Sequence, residues 1–188
     1  MRNKRLHPFR ARVASAAEGR VLDIGVGSGL NLPFYSRGVQ EIIGLEPLPQ
    51  LLARAQSKLR DSQIPVSLLQ ASAERIPLED RTIDTIVMTW TGCSIPKIGT
   101  ALGEMRRVLK NHGRLIFVEH GRAPDPKVAR WQDRLDPFWT RLSGGCHLNR
   151  KIDDLLVNAG FQIDRLNTCY IAGPKIMTFL SEGAATVR

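Results

Sequence analysis

A short apolar run, Val21-Leu22-Asp23-Ile24, leads straight into Gly25-Val26-Gly27-Ser28-Gly29. Glycines at alternate positions let a backbone turn sharply and let a ligand approach without meeting a Cβ. Glu46 follows, roughly 20 residues on, at the end of a second apolar run, Glu41–Leu45. A carboxylate there can accept hydrogen bonds from both hydroxyls of a ribose. Strand, glycine loop and acid together describe a nucleoside pocket at the edge of a parallel sheet. The spacing is GxGxG, and Leu30 stands where a dinucleotide fingerprint wants its third glycine, which argues against NAD.

The rest of the chain alternates strand and helix patterns. Strands are expected at Arg20–Ile24, Glu41–Leu45, Val66–Leu69, Ile83–Thr89, Arg114–Glu119, Phe161–Leu166 and Ile176–Ser181. Helices are expected near Leu30–Tyr35, over Leu48–Leu59, along the stripe Ile98, Ala101, Leu102, Met105, Val108, Leu109, and over Asn149–Ala159, which Gly160 stops. The helix after the glycine loop would offer free N–H groups to a carboxylate. Gly121–Leu148, with three prolines and two tryptophans, reads as irregular.

The expected fold class is α/β. It is a Rossmann-like, seven-stranded, mostly parallel sheet with an antiparallel last strand and helices on both faces. A chain of 188 residues suits one domain. Within it, residues 1–19 form a basic N-terminal arm or helix, and residues 121–150 a substrate-side insertion.

Composition narrows the function classes. Apolar residues make up 43% and charged residues 24%, ordinary for a soluble globular protein. Cys93, Cys146 and Cys169 are an odd, widely spaced set without a CxxC pair. Neither a disulfide framework nor a metal site is expected, and the pattern suits the cytoplasm. No signal peptide or membrane-spanning segment is expected. Net charge is +9, and Arg2, Lys4, Arg5, Arg10 and Arg12 precede the first acid, Glu18. Such an arm is expected to be a solvated terminus, with peripheral contact to an anionic membrane surface as the alternative. Aromatics do not interleave with these charges, so nucleic acid is not the expected partner.

The motifs are similar to those of class I S-adenosylmethionine-dependent methyltransferases. Val21–Gly29 resembles their first motif, and Leu45-Glu46-Pro47 their second. Ala71-Ser72-Ala73-Glu74-Arg75-Ile76-Pro77-Leu78 resembles the loop that lies against adenine. Asp84-Thr85-Ile86-Val87 and Arg107–Gly113 match the fourth strand and the turn before the fifth. The resemblance implies S-adenosylmethionine as cofactor and S-adenosylhomocysteine as product. It implies that Asp23, Gly25, Gly27, Gly29 and Asn31 hold the methionine end, that Glu46 and Pro47 meet the ribose, that Ser72, Ala73 and Glu74 lie at the adenine, and that Thr89 lies near the amino group. Ser72 stands where the family usually has Asp.

Methyl transfer from a sulfonium is an in-line displacement with a good leaving group already in place, so positioning dominates. A thiol acceptor reacts as thiolate and gains from a base or positive field. Acceptor-side candidates are Trp90, Cys93, Trp131, Asp136, Trp139 and Cys146, with His120 as the candidate catalytic group. Cys146 and His147 are adjacent in sequence and are not expected to act as a dyad. Trp131-Gln132, Leu135-Asp136-Pro137, Trp139, Gly145-Cys146, Leu148 and Arg150, with Cys93-Ser94 and Glu119-His120, resemble the alkyl thiol S-methyltransferase subgroup. That resemblance implies a small apolar acceptor, a thiol first. Quinone C-methylation and phospholipid N-methylation are the alternatives. A nucleic-acid methyltransferase lacks its loop here, because Thr89-Trp90-Thr91-Gly92 stands in that place. A non-catalytic nucleoside-binding protein is the remaining class.

Overall fold

The computed structural model describes residues 4–187. Arg2 lies outside them, and so does the side chain of Lys4. The chain forms α1 (His7–Ser15), β1 (Gly19–Ile24), β2 (Val39–Leu45), α2 (Pro49–Gln56), β3 (Val66–Leu69), β4 (Ile83–Thr89), α3 (Ile98–Val108), β5 (Leu109–His120), α4 (Pro126–Leu142), α5 (Ile152–Asn158), β6 (Phe161–Tyr170), α6 (Lys175–Thr178) and β7 (Phe179–Val187).

The seven strands make one sheet in the order β3-β2-β1-β4-β5-β7-β6. β1 to β5 pair in parallel, and β7 runs antiparallel between β5 and β6. This is the expected architecture. The strand order reverses between β1 and β4, and the carboxyl ends of these two strands open onto the crevice where such sheets bind ligands.

Period-two alternation sends neighbouring residues of the central strands to opposite cores. Leu22, Ile24, Ile86, Met88 and Phe117 join α3 and α5 on one face. Val21, Val87, Ile116 and Val118 join Val13 of α1 and the segment around Leu32 on the other. In α3 the predicted stripe Ile98, Ala101, Leu102, Met105 and Val108 is buried; its last member, Leu109, is buried too, but as the first residue of β5.

Three expectations need correction. Leu30–Tyr35 is not a helix: a single 3₁₀ turn, Leu32–Phe34, occupies it, and Pro33 suits that turn. The glycine loop therefore does not open directly into an α-helix.

Gly121–Leu148 is not irregular, because α4 takes up most of it. Asp125 caps that helix by accepting from Lys127 N at 2.8 Å, and Pro126 sits just inside the cap. Val128, Trp131, Leu135, Phe138 and Leu142 recur at helical spacing, but α4 buries Ala129, Gln132 and Asp136 and leaves Trp131, Phe138 and Leu142 exposed. Pro137 looked like a break, yet it is accommodated inside the helix. The third correction concerns the last strand, which begins at Phe179 rather than Ile176; Lys175–Thr178 is a helical turn.

The N-terminal arm is also not a solvated tail over its described part. α1 packs against β4 and β5. Arg10 is only 5% exposed. Arg12 donates to both Glu182 oxygens at 2.9 and 2.6 Å, and Arg5 donates to Ala172 O. None of the described helices is long and apolar enough to cross a membrane.

Candidate active site

A cavity of about 580 Å³ opens at the carboxyl ends of β1, β2 and β4. Its floor is Gly25–Ser28, with Asn31 beside it. Gly25 has φ of +65°, and a Cβ there would strike the Thr91 side chain. No L side chain fits that turn.

Glu46 forms the second wall and is 6% exposed. One oxygen accepts from Gly27 N and the other from Leu48 N, both at 3.1 Å. Burial pushes its carboxyl above the ordinary range, against the pull of these two donors. The carboxylate is thereby fixed at the rim of the glycine loop with acceptor capacity to spare. Leu48 and Leu51 give an apolar shelf next to it.

Ala71, Ser72 and Ala73 line the third wall. Two residues of α3 hold the stretch that follows them. Glu104 accepts from Ile76 N at 2.9 Å, and Arg107 donates to Ile76 O and Leu78 O at 2.9 and 2.8 Å. Ser72 Oγ is taken up by Glu74 N. Glu74, expected at the adenine, is not in the cavity wall: its carboxylate accepts from Lys97 N at 2.9 Å, at the start of α3.

The fourth wall was missed by sequence reasoning. Arg10 reaches in from α1, donates to Asn31 Oδ1 at 2.6 Å, and lies 4.7 Å from the Trp90 ring centroid. Asn31 in turn donates to both Asp23 oxygens at 3.1 Å and to Thr89 Oγ1 at 3.0 Å. Asp23 is fully buried beneath this layer, and the buried Tyr35 hydroxyl faces it. Asp23 and Gly29 thus stand behind the wall, not in it. A cation at the cavity edge takes the place that the expected helix N-terminus would have filled. The signal in the sequence was only a basic run, and such runs are usually solvated.

Burial raises the Asp23 carboxyl to about 6, with Asn31, Tyr35 and Arg10 opposing. An unfolded Asp titrates near about 3.9. Between those values the native state binds more protons than the unfolded chain. The contribution of Asp23 to stability therefore grows as pH falls through that window, the reverse of a salt-bridged acid. In urea melts, the stability of the wild type relative to Asp23→Asn should rise as pH drops from about 7 to about 5. A difference that stays flat over that range would contradict the burial of Asp23.

Beyond β4 the chain turns abruptly. Trp90 has φ of +49°, a left-handed backbone that bulky residues rarely adopt. Glu119, at the end of β5 and 0% exposed, secures this turn. It accepts from Thr91 N and Gly92 N at 2.8 Å and from Cys93 N at 3.1 Å. Strained backbone held by a buried acid beside a cavity is a common mark of a working site.

The predicted acceptor-side residues divide. Trp90 lines the cavity. Cys93, His120 and Cys146 converge behind it: the two sulfurs are 3.3 Å apart, and Trp90 and His120 have ring centroids 6.5 Å apart. The Trp139 indole N–H is buried beside Cys146. Asp136 serves the fold: it accepts from Leu148 N at 2.7 Å and pairs with His147 Nδ1 at 2.7 Å. His147 therefore belongs to Asp136 and not to its neighbour Cys146. Trp131 is a correction, because it stands on the outer side of α4, 55% exposed, with Arg134 over its ring.

Donors for a carboxylate, an acid for ribose hydroxyls and an apolar slot beside Ala73 fit a nucleoside that carries an amino-acid tail. The comparisons agree. The family described as "Methyltransferase domain" matches residues 22–117, half of the chain. The protein belongs to this family and has the fold and cofactor pocket of a class I S-adenosylmethionine-dependent methyltransferase.

Among its relatives is the thiol S-methyltransferase TMT1B of Homo sapiens. It is 32% identical over 153 residues, covering 78% of this chain and 62% of that protein. The phosphatidylethanolamine N-methyltransferase of Cereibacter sphaeroides is 36% identical over 108 residues, covering 56% of this chain and 53% of that protein. The chain thus spans little more than half the length of these relatives. The crystal structure of YcgJ from Bacillus subtilis superposes with a TM-score of 0.74 at 20% identity, covering 98% of both chains, a likeness of fold.

Proposed function

We propose that this protein transfers the methyl group of S-adenosylmethionine to a small apolar acceptor, a thiol first. The observation that carries the cofactor half is the pairing of Glu46 with Arg10 across one cavity. The two groups offer an acceptor for ribose hydroxyls at one end and a cation for a carboxylate at the other. The similarity to TMT1B supports the thiol, and so does the apolar surface that Trp90 presents next to the cofactor cavity.

In this reading Glu46 holds the ribose, Gly25 and Gly27 let the tail pass close to the backbone, and Arg10 with Asn31 fixes the carboxylate. Ala73 and Leu48 flank the base. S-adenosylmethionine supplies an electrophilic methyl on a sulfonium with a neutral thioether as leaving group. The protein's part is then alignment and exclusion of water. His120 sits behind Trp90, within one side chain of the cavity wall.

The test is a methyl-transfer screen over hydrogen sulfide, small alkyl thiols, quinols, phenols and phosphatidylethanolamine vesicles, reading S-adenosylhomocysteine. Thiols should give the highest turnover, and Glu46→Ala should weaken S-adenosylhomocysteine binding by about 1–3 kcal/mol. Turnover with a quinol or phospholipid and none with any thiol would overturn the thiol assignment and leave the cofactor site standing.

A further inference from the structure

Cys93, His120 and Cys146 come from three separate places: the turn after β4, the end of β5, and the loop between α4 and α5. Nothing in their spacing predicts a meeting. Yet one donor atom from each lies within 4.8 Å of the other two, in a pocket where Cys93 is 0% and Cys146 7% exposed. Among the described residues this is the one cluster of three such donors.

Three features mark the cluster as more than packing. The first is the close pair of thiols, whose sulfurs stand in hydrogen-bond contact at 3.3 Å. The second is His120 Nδ1, which is buried and makes no conventional hydrogen bond, while its ring adjoins the Cys146 sulfur. A buried ring nitrogen without a partner is costly unless something else satisfies it. The third is the rigidity of the segments that carry the two cysteines. Glu119 pins Cys93 N, the Cys93 carbonyl accepts from His147 N at 2.9 Å, and Asp136 clamps His147 and Leu148. Arg150 donates to Gly92 O and Ile95 O at 2.6 and 2.7 Å, which places a cation near the extra negative charge that two thiolates would bring.

We infer that Cys93, His120 and Cys146 form a binding site for one borderline-soft divalent cation, zinc first. Two thiolates and one imidazole are a ligand set that zinc favours, and three protein ligands leave a fourth tetrahedral position open. Bonds of about 2.3 Å to sulfur and about 2.0 Å to nitrogen separate tetrahedral donors by about 3.8 Å for the sulfur pair and about 3.5 Å for sulfur and nitrogen. The sulfurs, at 3.3 Å, would part by about 0.5 Å, and no separation in the cluster has more than about 1.3 Å to close. Two thiolates balance the charge of the ion, so binding releases protons from the thiols and leaves no buried net charge at the site. The site adjoins the cofactor cavity through Ser94, whose hydroxyl is 3.6 Å from the Cys93 sulfur and lines that cavity.

The competing use of the same atoms is a disulfide between Cys93 and Cys146, which needs the sulfurs to close to about 2.05 Å and an oxidant to take two electrons. Metal content decides between them, read without any methyl acceptor. Reduced protein is loaded with zinc, passed through gel filtration and assayed for bound metal. Cobalt titration is followed through thiolate-to-cobalt charge transfer and the visible bands of a tetrahedral ion. One equivalent should be bound, and cobalt should show both thiolate and tetrahedral signatures. Cys93→Ser and Cys146→Ser should each lose the thiolate band in proportion, and His120→Ala should weaken binding at least about tenfold. Cys169→Ser, an exposed cysteine elsewhere, should bind as the wild type does.

Circular dichroism on each variant separates loss of the site from loss of the fold, and His120→Asn provides a milder change should His120→Ala not fold. Less than about a tenth of an equivalent in folded, reduced wild type would overturn the site. So would cobalt spectra without thiolate character, or full binding by a folded Cys93→Ser, Cys146→Ser double variant.

Discussion

Replacing Arg10 with methionine is expected to weaken binding of S-adenosylhomocysteine by about 10- to 100-fold, the equivalent of a charged hydrogen bond of about 1.5–3 kcal/mol. Methionine keeps a long apolar stem and removes the guanidinium that lies over Trp90 and donates to Asn31. The same variant should bind 5′-methylthioadenosine, which lacks the amino-acid tail, within about twofold of the wild type. The contrast follows from where Arg10 sits: beside Asn31 and Trp90, in the lining of the cavity that Glu46 shares. Asn31 would lose its partner at 2.6 Å, and Asp23 would lose a nearby cation, so some stability falls as well. Titration calorimetry with the two ligands, on protein shown to be folded, gives the answer. Equal losses for both would mean that Arg10 shapes the cavity and does not meet the carboxylate.

The second large effect concerns Glu119. Its carboxylate is the shared acceptor of three backbone N–H groups in a fully buried turn. Glu119→Ala leaves those donors buried and unsatisfied. Each orphan costs about 1–3 kcal/mol, and removal of a buried charge offsets part of the sum, so a net loss of about 3 kcal/mol is expected. Glu119→Gln keeps an acceptor oxygen and should recover about half of that loss. Urea unfolding at neutral pH measures both. A Glu119→Ala variant that loses under about 1 kcal/mol would show that water enters the turn and replaces the carboxylate.

The sheet and the cofactor loop were legible because each rests on a local signal. Val21–Ile24 and Ile83–Thr89 are short apolar runs that end in glycine or at an abrupt turn, and Glu46 stands at a fixed distance from Gly25. α4 was masked by Pro126 and Pro137, although Val128, Trp131, Leu135, Phe138 and Leu142 recur at helical spacing. The structure turns much of that stripe outward and buries a polar face: Gln132 donates to Gly121 O and Ile176 O, and Asp136 accepts from Leu148 N. Arg10 was hidden for a related reason. Its partners Asn31 and Thr89 are distant in sequence, and a basic run looks the same whether or not one member turns inward. The meeting of Cys93 with His120 depends on register. Thr89 pairs with Val118 across β4 and β5, so whatever follows each strand must emerge side by side. Sequence patterns identify strands; they do not identify which strand ends will be neighbours.

The double contact between Arg12 and Glu182 ties α1 to β7, so the first described helix and the last strand lie against one another. For anyone handling the protein this has a practical side. A tag or fusion partner that pulls α1 from the sheet would also withdraw Arg10 from the cavity, and the preparation would look folded while binding its cofactor poorly. A partner joined beyond β7 carries no such hazard as long as Glu182 keeps its hold on Arg12.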